Sequence, residues 1–93
     1  MVVLVVEFAA KKPDMMRTQD KILTKIQCRG IIVDESSLQV PAQLIGLFGS
    51  IAEGGLFRYR WRLTLLSSEQ KLDLEALKKD LRDEEVYDIF LES

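Results

Sequence analysis

The stretch LFRYRWRLTLL, residues 56–66, decides the fold of this chain because two kinds of side chain alternate along it. The apolar set is Phe57, Tyr59, Trp61, Leu63 and Leu65, and the polar set is Arg58, Arg60, Arg62 and Thr64. Successive side chains of a β-strand point to opposite faces of a sheet, so the pattern predicts a strand with one face in the core. The three arginines are then expected in line on the other face, about 7 Å apart.

Upstream, Val2–Phe8 is a near-continuous run of β-branched and apolar residues, which is typical of a central strand buried on both faces. Its single charge, Glu7, predicts the point at which one face meets water. The run is much shorter than the roughly 20 residues that a membrane-spanning helix needs, and no basic segment precedes it. We therefore expect a strand here, with no membrane span or targeting segment.

The next segment has the spacing of an amphipathic helix over Met15–Cys28, with Asp14 placed as its N-cap. Gly30 is placed to form the left-handed C-cap. A second strand is predicted at Ile31–Val33, and it runs into the polar stretch Asp34–Ser37.

Downstream of the arginine-bearing strand, Ser67–Gln70 predicts a polar turn, and Asp73 caps a second helix. The apolar residues of that helix are Leu74, Leu77 and Leu81. The last strand, Val86–Glu92, alternates again, which predicts that Tyr87, Ile89 and Leu91 face inward.

The predicted order is strand, helix, strand, strand, helix, strand. It indicates an α+β, ferredoxin-like βαββαβ sandwich, with two helices on one face of a four-stranded antiparallel sheet. A chain of 93 residues is expected to form a single domain over residues 1–93.

One apolar segment, Pro41–Gly55, is longer than the hairpin loop expected between strands 2 and 3. Its spacing favours a short extra helix, although Gly46 and Gly49 weaken that prediction by about 1 kcal/mol each relative to alanine. A long β-hairpin arm closing at Glu53–Gly55 is the alternative. As a candidate interface for a second copy or a protein partner, this segment offers Leu44, Leu47, Phe48 and Ile51.

The arginine row allows two interpretations. Arg58, Arg60 and Arg62 are candidates for binding an anion or a partner, because guanidinium groups match phosphate and carboxylate geometry. The favoured interpretation is that acidic residues of neighbouring strands neutralise the row. The candidates are Glu7 and Asp34, with Asp88 and Glu92 further along the sheet. Nucleic-acid binding is disfavoured, because the net charge is −2 and the aromatic side chains alternate away from the arginines.

Composition excludes most familiar chemistry. The chain has no histidine and one cysteine, so the commonest general base, a disulfide within the chain and a cysteine zinc cluster are all excluded. Cys28 is expected to be a buried core residue in a protein of a reducing compartment such as the cytoplasm. We identify no catalytic residues, no metal ligands and no cofactor, and we expect a protein that is not an enzyme.

The stretch KKPDMMRTQDKILTKIQCRGIIVDESS, within this order of elements, resembles the ACT domain and its ligand-free relatives in the cytoplasmic tails of MgtC-type membrane proteins. The resemblance is mainly topological and covers the chain except residues 41–55. Amino-acid-binding ACT domains carry an Asp-x-Pro-Gly type of turn after the first strand, and Lys11–Asp14 stands at those positions. Asp14 replaces the glycine that lets the loop approach a ligand, so the resemblance implies association with protein. If a ligand is bound, the candidate residues are Lys12, Pro13 and Asp14.

Three functional hypotheses follow. The first is a non-enzymatic regulatory or interaction module that acts through dimerisation or docking, with a homodimer or a protein partner. The second is a small-molecule sensor for an amino-acid-like ligand. The third is an anion or nucleic-acid binder that uses the arginine-lined face of the sheet.

Overall fold

The computed structural model describes residues 2–67 and 72–92. Over these residues the chain forms β1 Val3–Ala10, α1 Met15–Cys28, β2 Gln43–Phe48, β3 Leu56–Thr64, α2 Leu74–Asp80 and β4 Val86–Glu92. The strands make one antiparallel sheet in the order β2-β3-β1-β4, so β1 and β3 are central and β2 and β4 are outer strands. The predicted α+β class with a four-stranded antiparallel sheet and two helices is confirmed. Of the predicted turn Ser67–Gln70, only Ser67 lies within the described residues.

The core lies against the apolar side of β3, as its alternation predicts. Tyr59, Trp61 and Leu63 are buried, and the Tyr59 ring stacks on Phe8 of β1 with the ring centroids 5.5 Å apart. Residues of all the layers meet in one cluster of buried side chains. Its members from β1 and the helical segments are Leu4, Val6, Phe8, Ala10, Ile22, Ile26, Leu77 and Leu81.

Both helices begin where local signals predict, and α1 also ends at the predicted residue. Gly30 follows α1 with a φ of +78°, and its N–H donates to the carbonyl of Gln27 at 2.9 Å. Asp14 is the N-cap residue of α1, but its side chain makes no capping hydrogen bond. The Asp73 carboxylate does cap α2, because it accepts a hydrogen bond from the N–H of Ala76 at 3.1 Å.

A buried glutamine of α1 holds the start of β2 in place. With its amide oriented so that the oxygen accepts, Gln19 receives hydrogen bonds from Trp61 Nε1 and from the N–H of Ala42, each at 3.3 Å. Buried polar groups are normally paired in this way. Helix α1, the centre of β3 and the residue before β2 are therefore joined through one side chain.

The second strand does not lie at Ile31–Val33, as predicted. That segment contributes one isolated bridge, between Val33 and Leu65. The reason is local: the Asp34 carboxylate accepts a hydrogen bond from the N–H of Ser36 at 3.0 Å, and Ser37 Oγ donates to the Asp34 carbonyl at 2.6 Å. These bonds turn the chain into a short 3₁₀ helix over Glu35–Gln39 and end the extended segment.

The segment predicted to be an extra helix or a hairpin arm supplies the missing strand. The first part of this segment is β2, which pairs with β3. The turn that connects the two strands contains the 3₁₀ helix Ile51–Glu53. Gly46 has a φ of +152°, which no α-helix accommodates, and the β2–β3 register shifts between Leu44 and Gly46. The hairpin interpretation is therefore the right one, and the helix interpretation is wrong.

The last strand contains a second irregularity that changes one prediction. Glu7 pairs with Asp88 and Phe8 pairs with Val86, so the register skips Tyr87. Val86 and Ile89 face the core as a result. Tyr87 was expected to face inward, but it packs against Arg58, on the opposite face of the sheet. Leu91, also expected inside, remains 44% exposed near the end of this outer strand.

Because Tyr59 is buried in the core, we expect the protein to lose stability at alkaline pH. Burial raises the pKa of Tyr59 above its ordinary value of 10.0. Because the folded pKa exceeds the unfolded one, this contribution to stability is complete below the unfolded pKa and is lost as the pH rises through the folded pKa. Between the unfolded and the folded pKa of Tyr59, we expect the unfolding free energy to fall by at most about 1.4 kcal/mol per pH unit. Urea titrations of wild type and Tyr59→Phe should show a smaller alkaline slope for the variant, whereas equal slopes would contradict the prediction.

Candidate functional site

The face of the sheet that carries the arginines is paired within the chain. Arg60 Nη2 lies 3.1 Å from Glu7 Oε2, and Arg62 Nη2 lies 3.1 Å from Glu92 Oε2. Glu7 was expected to meet water, but its side chain is only 8% exposed under Arg60. Asp34, proposed as another counter-charge, instead caps the 3₁₀ helix that follows it.

The third arginine is held by an aromatic side chain. Arg58 Nε donates a hydrogen bond to the Tyr87 hydroxyl, and its guanidinium carbon lies 4.6 Å from the centre of the Tyr87 ring. This hydrogen bond is the main reason that the pKa of Arg58 is raised above its ordinary value. All three arginines therefore have partners, and carboxylates compensate the charges of two of them, Arg60 and Arg62.

The same tyrosine extends the contact towards β2. Its ring stacks on Phe48 with the centroids 6.1 Å apart and an angle of 5° between the planes. Ala9, across from Arg58 on β1, is small and only 4% exposed. Sequence reasoning missed the role of Tyr87, because the register shift that turns this side chain outward leaves no periodic signal in the sequence.

The outer edge of β2 carries several exposed apolar side chains. Its side chains include three of the four candidate interface residues, and the fourth lies in the turn that follows. The exposed fractions are 51% for Leu44, 49% for Leu47, 48% for Phe48 and 81% for Ile51. Because β2 is the last strand of the sheet on this side, one row of its backbone amides and carbonyls faces outward. We call this strand edge with these four side chains the β2 edge.

The candidate ligand-binding turn forms a short 3₁₀ helix over Lys12–Asp14. Lys12 and Pro13 are exposed. Asp14 lines a cavity of about 270 Å³ together with Lys11, Asp83, Glu84 and Glu85. With one ammonium group and four carboxylates, one of them paired with Lys25, the cavity has an excess of negative charge, which disfavours an anionic ligand because like charges repel.

Cys28 and a neighbouring ion pair lie near the end of α1. Cys28 was expected to be buried but is exposed, and it lies beside Lys25 and Arg29 at the end of α1. Glu84, in the acidic run after α2, pairs with Lys25 at 3.3 Å. Among the helices of residues 2–67 and 72–92, none is long and apolar enough to cross a membrane.

Comparison of the chain with protein-family models, with curated proteins and with solved structures finds no match.

Proposed function

We propose that this chain is a non-enzymatic protein-interaction module of ferredoxin-like fold, and that it binds its partner along the β2 edge. The order of elements and the sheet order β2-β3-β1-β4 support this fold. The buried residues of both helical segments lie in one cluster with Leu4, Val6 and Phe8, which supports placing both helices on the same face. The exposed thiol of Cys28 is consistent with a reducing compartment, and we place the module in the cytoplasm.

The observation that carries the proposal is an outer strand with no charged residue and with exposed apolar side chains. No charge occurs in the sequence between Glu35 and Glu53. Proteins usually protect outer strands with lysine, proline or a covering segment, because an open edge pairs with other strands. Strand β2 contains neither lysine nor proline, and its edge fits a partner that adds a strand to the sheet, with backbone hydrogen bonds for affinity and apolar side chains for specificity. The partner is accordingly an uncharged, extended segment with apolar side chains.

The two rival functions have less support. A polyanion binder needs unpaired cations, and the three arginines are engaged by Glu7, Glu92 and Tyr87. An amino-acid sensor of the ACT type would use Lys12–Asp14, and the cavity beside Asp14 has more carboxylates than ammonium groups. The ACT relationship itself is retained only as a proposal about ancestry, on the order of elements.

Selection from random peptides displayed on phage tests the proposal directly. The immobilised chain is expected to enrich peptides with apolar residues at alternate positions. The enriched peptides should shift the backbone amide resonances of Gln43–Phe48. The double substitution Leu44→Lys/Leu47→Lys should weaken their binding by about tenfold or more, which corresponds to about 1.4 kcal/mol, because it places two ammonium groups in an apolar contact.

A matched control is available on another part of the surface. Ile32 and Leu66 are 58% and 63% exposed, so Ile32→Lys/Leu66→Lys adds the same charge at similar exposure away from the β2 edge. This control should bind the selected peptides like wild type. Peptides that bind both double variants equally, or that shift the amides of the arginine face instead, would refute the β2 edge as the binding site.

A further inference from the structure

We infer that the strand added at the β2 edge is β2 of a second copy of this chain, so that two sheets join into one of eight strands. This inference rests on the proposed function and names its partner. The two outer strands of the sheet differ in a way that favours β2 for this role. Strand β4 carries Asp88 and Glu92, whereas β2 carries no charge. Pairing of two copies along β2 therefore brings no like charges together, which is a condition for a self-complementary interface.

The register of the joined strands follows from the irregularity in β2. The pairing with β3 shifts between Leu44 and Gly46, and from there Gly46, Leu47 and Phe48 pair regularly with Arg58, Phe57 and Leu56. Residues opposite each other in antiparallel strands share a face of the sheet. Two regular strands related by a twofold axis therefore place the residue on the axis opposite its own copy. The regular part of β2 allows this axis at Leu47 without bringing the two irregularities together.

An axis at Leu47 also matches the side chains. It places Leu47 opposite Leu47 of the second copy and Phe48 opposite the second copy's Gly46, twice by symmetry. Gly46 has no side chain, and the ring of Phe48 stacks on Tyr87 of its own chain, so this pairing brings no two side chains into collision across the axis.

The apolar area of the β2 edge, taken together with Val40 just before β2, approaches what a specific dimer needs. Five residues are each roughly half exposed or more, and they are Val40, Leu44, Leu47, Phe48 and Ile51. Covering them in both copies removes on the order of 1,000 Å² from water, which is near the lower limit for a specific interface. The dimer is therefore expected to be concentration-dependent in solution.

Disulfide cross-linking tests the partner and the register together. In a Cys28→Ser chain, Leu47→Cys brings two thiols together across the axis, where opposite Cα atoms lie about 4.5–5.5 Å apart, within the range for a disulfide. Leu44→Cys is the matched control, because Leu44 is also a leucine of β2, 51% exposed against 49% for Leu47. In the proposed register, the two copies of residue 44 are about 20 Å apart. Under a mild oxidant, Leu47→Cys should cross-link about tenfold faster or more.

Sedimentation of the Cys28→Ser chain over a range of concentrations completes the test. A mass that rises towards that of a dimer, with preferential cross-linking at position 47, supports the inference. A dimer that cross-links equally well or better through position 44 overturns it. A monomeric mass up to high micromolar concentration also overturns it, and if phage peptides still bind the β2 edge, the proposed function stands with a different partner. If the phage selection fails as well, both proposals are wrong.

Discussion

Replacing Leu63 with alanine is expected to lower the free energy of unfolding by about 3 kcal/mol. Leu63 is 0% exposed on β3, directly opposite Leu4 of the neighbouring central strand, and both belong to the cluster that includes residues of the two helical segments. Truncation there removes apolar contacts and leaves a cavity that the surrounding layers fill only in part. Urea denaturation followed by tryptophan fluorescence measures the change, since Trp61 lies two residues away in the same core.

Leu66→Ala is the control for this substitution. It removes the same atoms from a residue that is 63% exposed, so the expected change is within about 0.5 kcal/mol. Both variants should be compared with wild type at one protein concentration, because association stabilises a folded chain by mass action. Similar losses for the two variants would mean that the apolar side of β3 does not form the core.

The elements that could be predicted from the sequence are those specified by nearby residues. The alternation of β3 assigns its two faces because a strand repeats every two residues, and Tyr59, Trp61 and Leu63 are indeed buried. Helix α1 has the predicted bounds, Met15–Cys28, because apolar residues recur every three to four positions and Gly30 provides the end signal. Such signals act within one or two turns of the chain, and tertiary contacts do not override them here.

The strand that forms the proposed binding edge could not be assigned in the same way. An apolar segment with Gly46 and Gly49 fits a helix, a strand or a loop, and the choice depends on pairing with β3 far along the chain. The shift between Leu44 and Gly46 also breaks the two-residue period that would have revealed a strand. The contact between Tyr87 and Arg58 could not be predicted either, because the register shift in β4 also breaks the two-residue period.

The candidate site was predictable in its residue types but not in its pairing. Spacing alone places Arg58, Arg60 and Arg62 in line, whereas their partners depend on the register of three strands. Glu7 and Glu92 were both among the acidic residues proposed for neutralisation, and they pair with Arg60 and Arg62. Asp34 was also proposed to neutralise the arginines, but it does not pair with them. It forms hydrogen bonds with Ser36 and Ser37 in the turn that follows it instead.

The pair formed by Arg60 and Glu7 leads to the second large prediction. Arg60→Met is expected to lower the free energy of unfolding by about 2 kcal/mol. It leaves the carboxylate of Glu7, with a side chain only 8% exposed, without its cation and directly across from Asp88 of β4. Removing one partner of a fully buried pair costs about 3–5 kcal/mol, and the smaller value reflects the 36% exposure of Arg60, which lets water screen the charges.

Arg62→Met is the matched control two residues along the same strand. Its partner Glu92 is 43% exposed, and such ion pairs contribute about 0–1 kcal/mol, so we expect a change of less than about 0.5 kcal/mol. Adding Glu7→Gln to Arg60→Met should restore most of the lost stability, because the unpaired buried charge is then absent. Urea titrations of the four chains measure both effects. If Arg60→Met leaves stability unchanged but abolishes binding to a polyanion such as heparin, the arginine face is a recognition surface. A loss of stability that Glu7→Gln rescues means instead that the arginines complete the sheet and leave binding to the β2 edge.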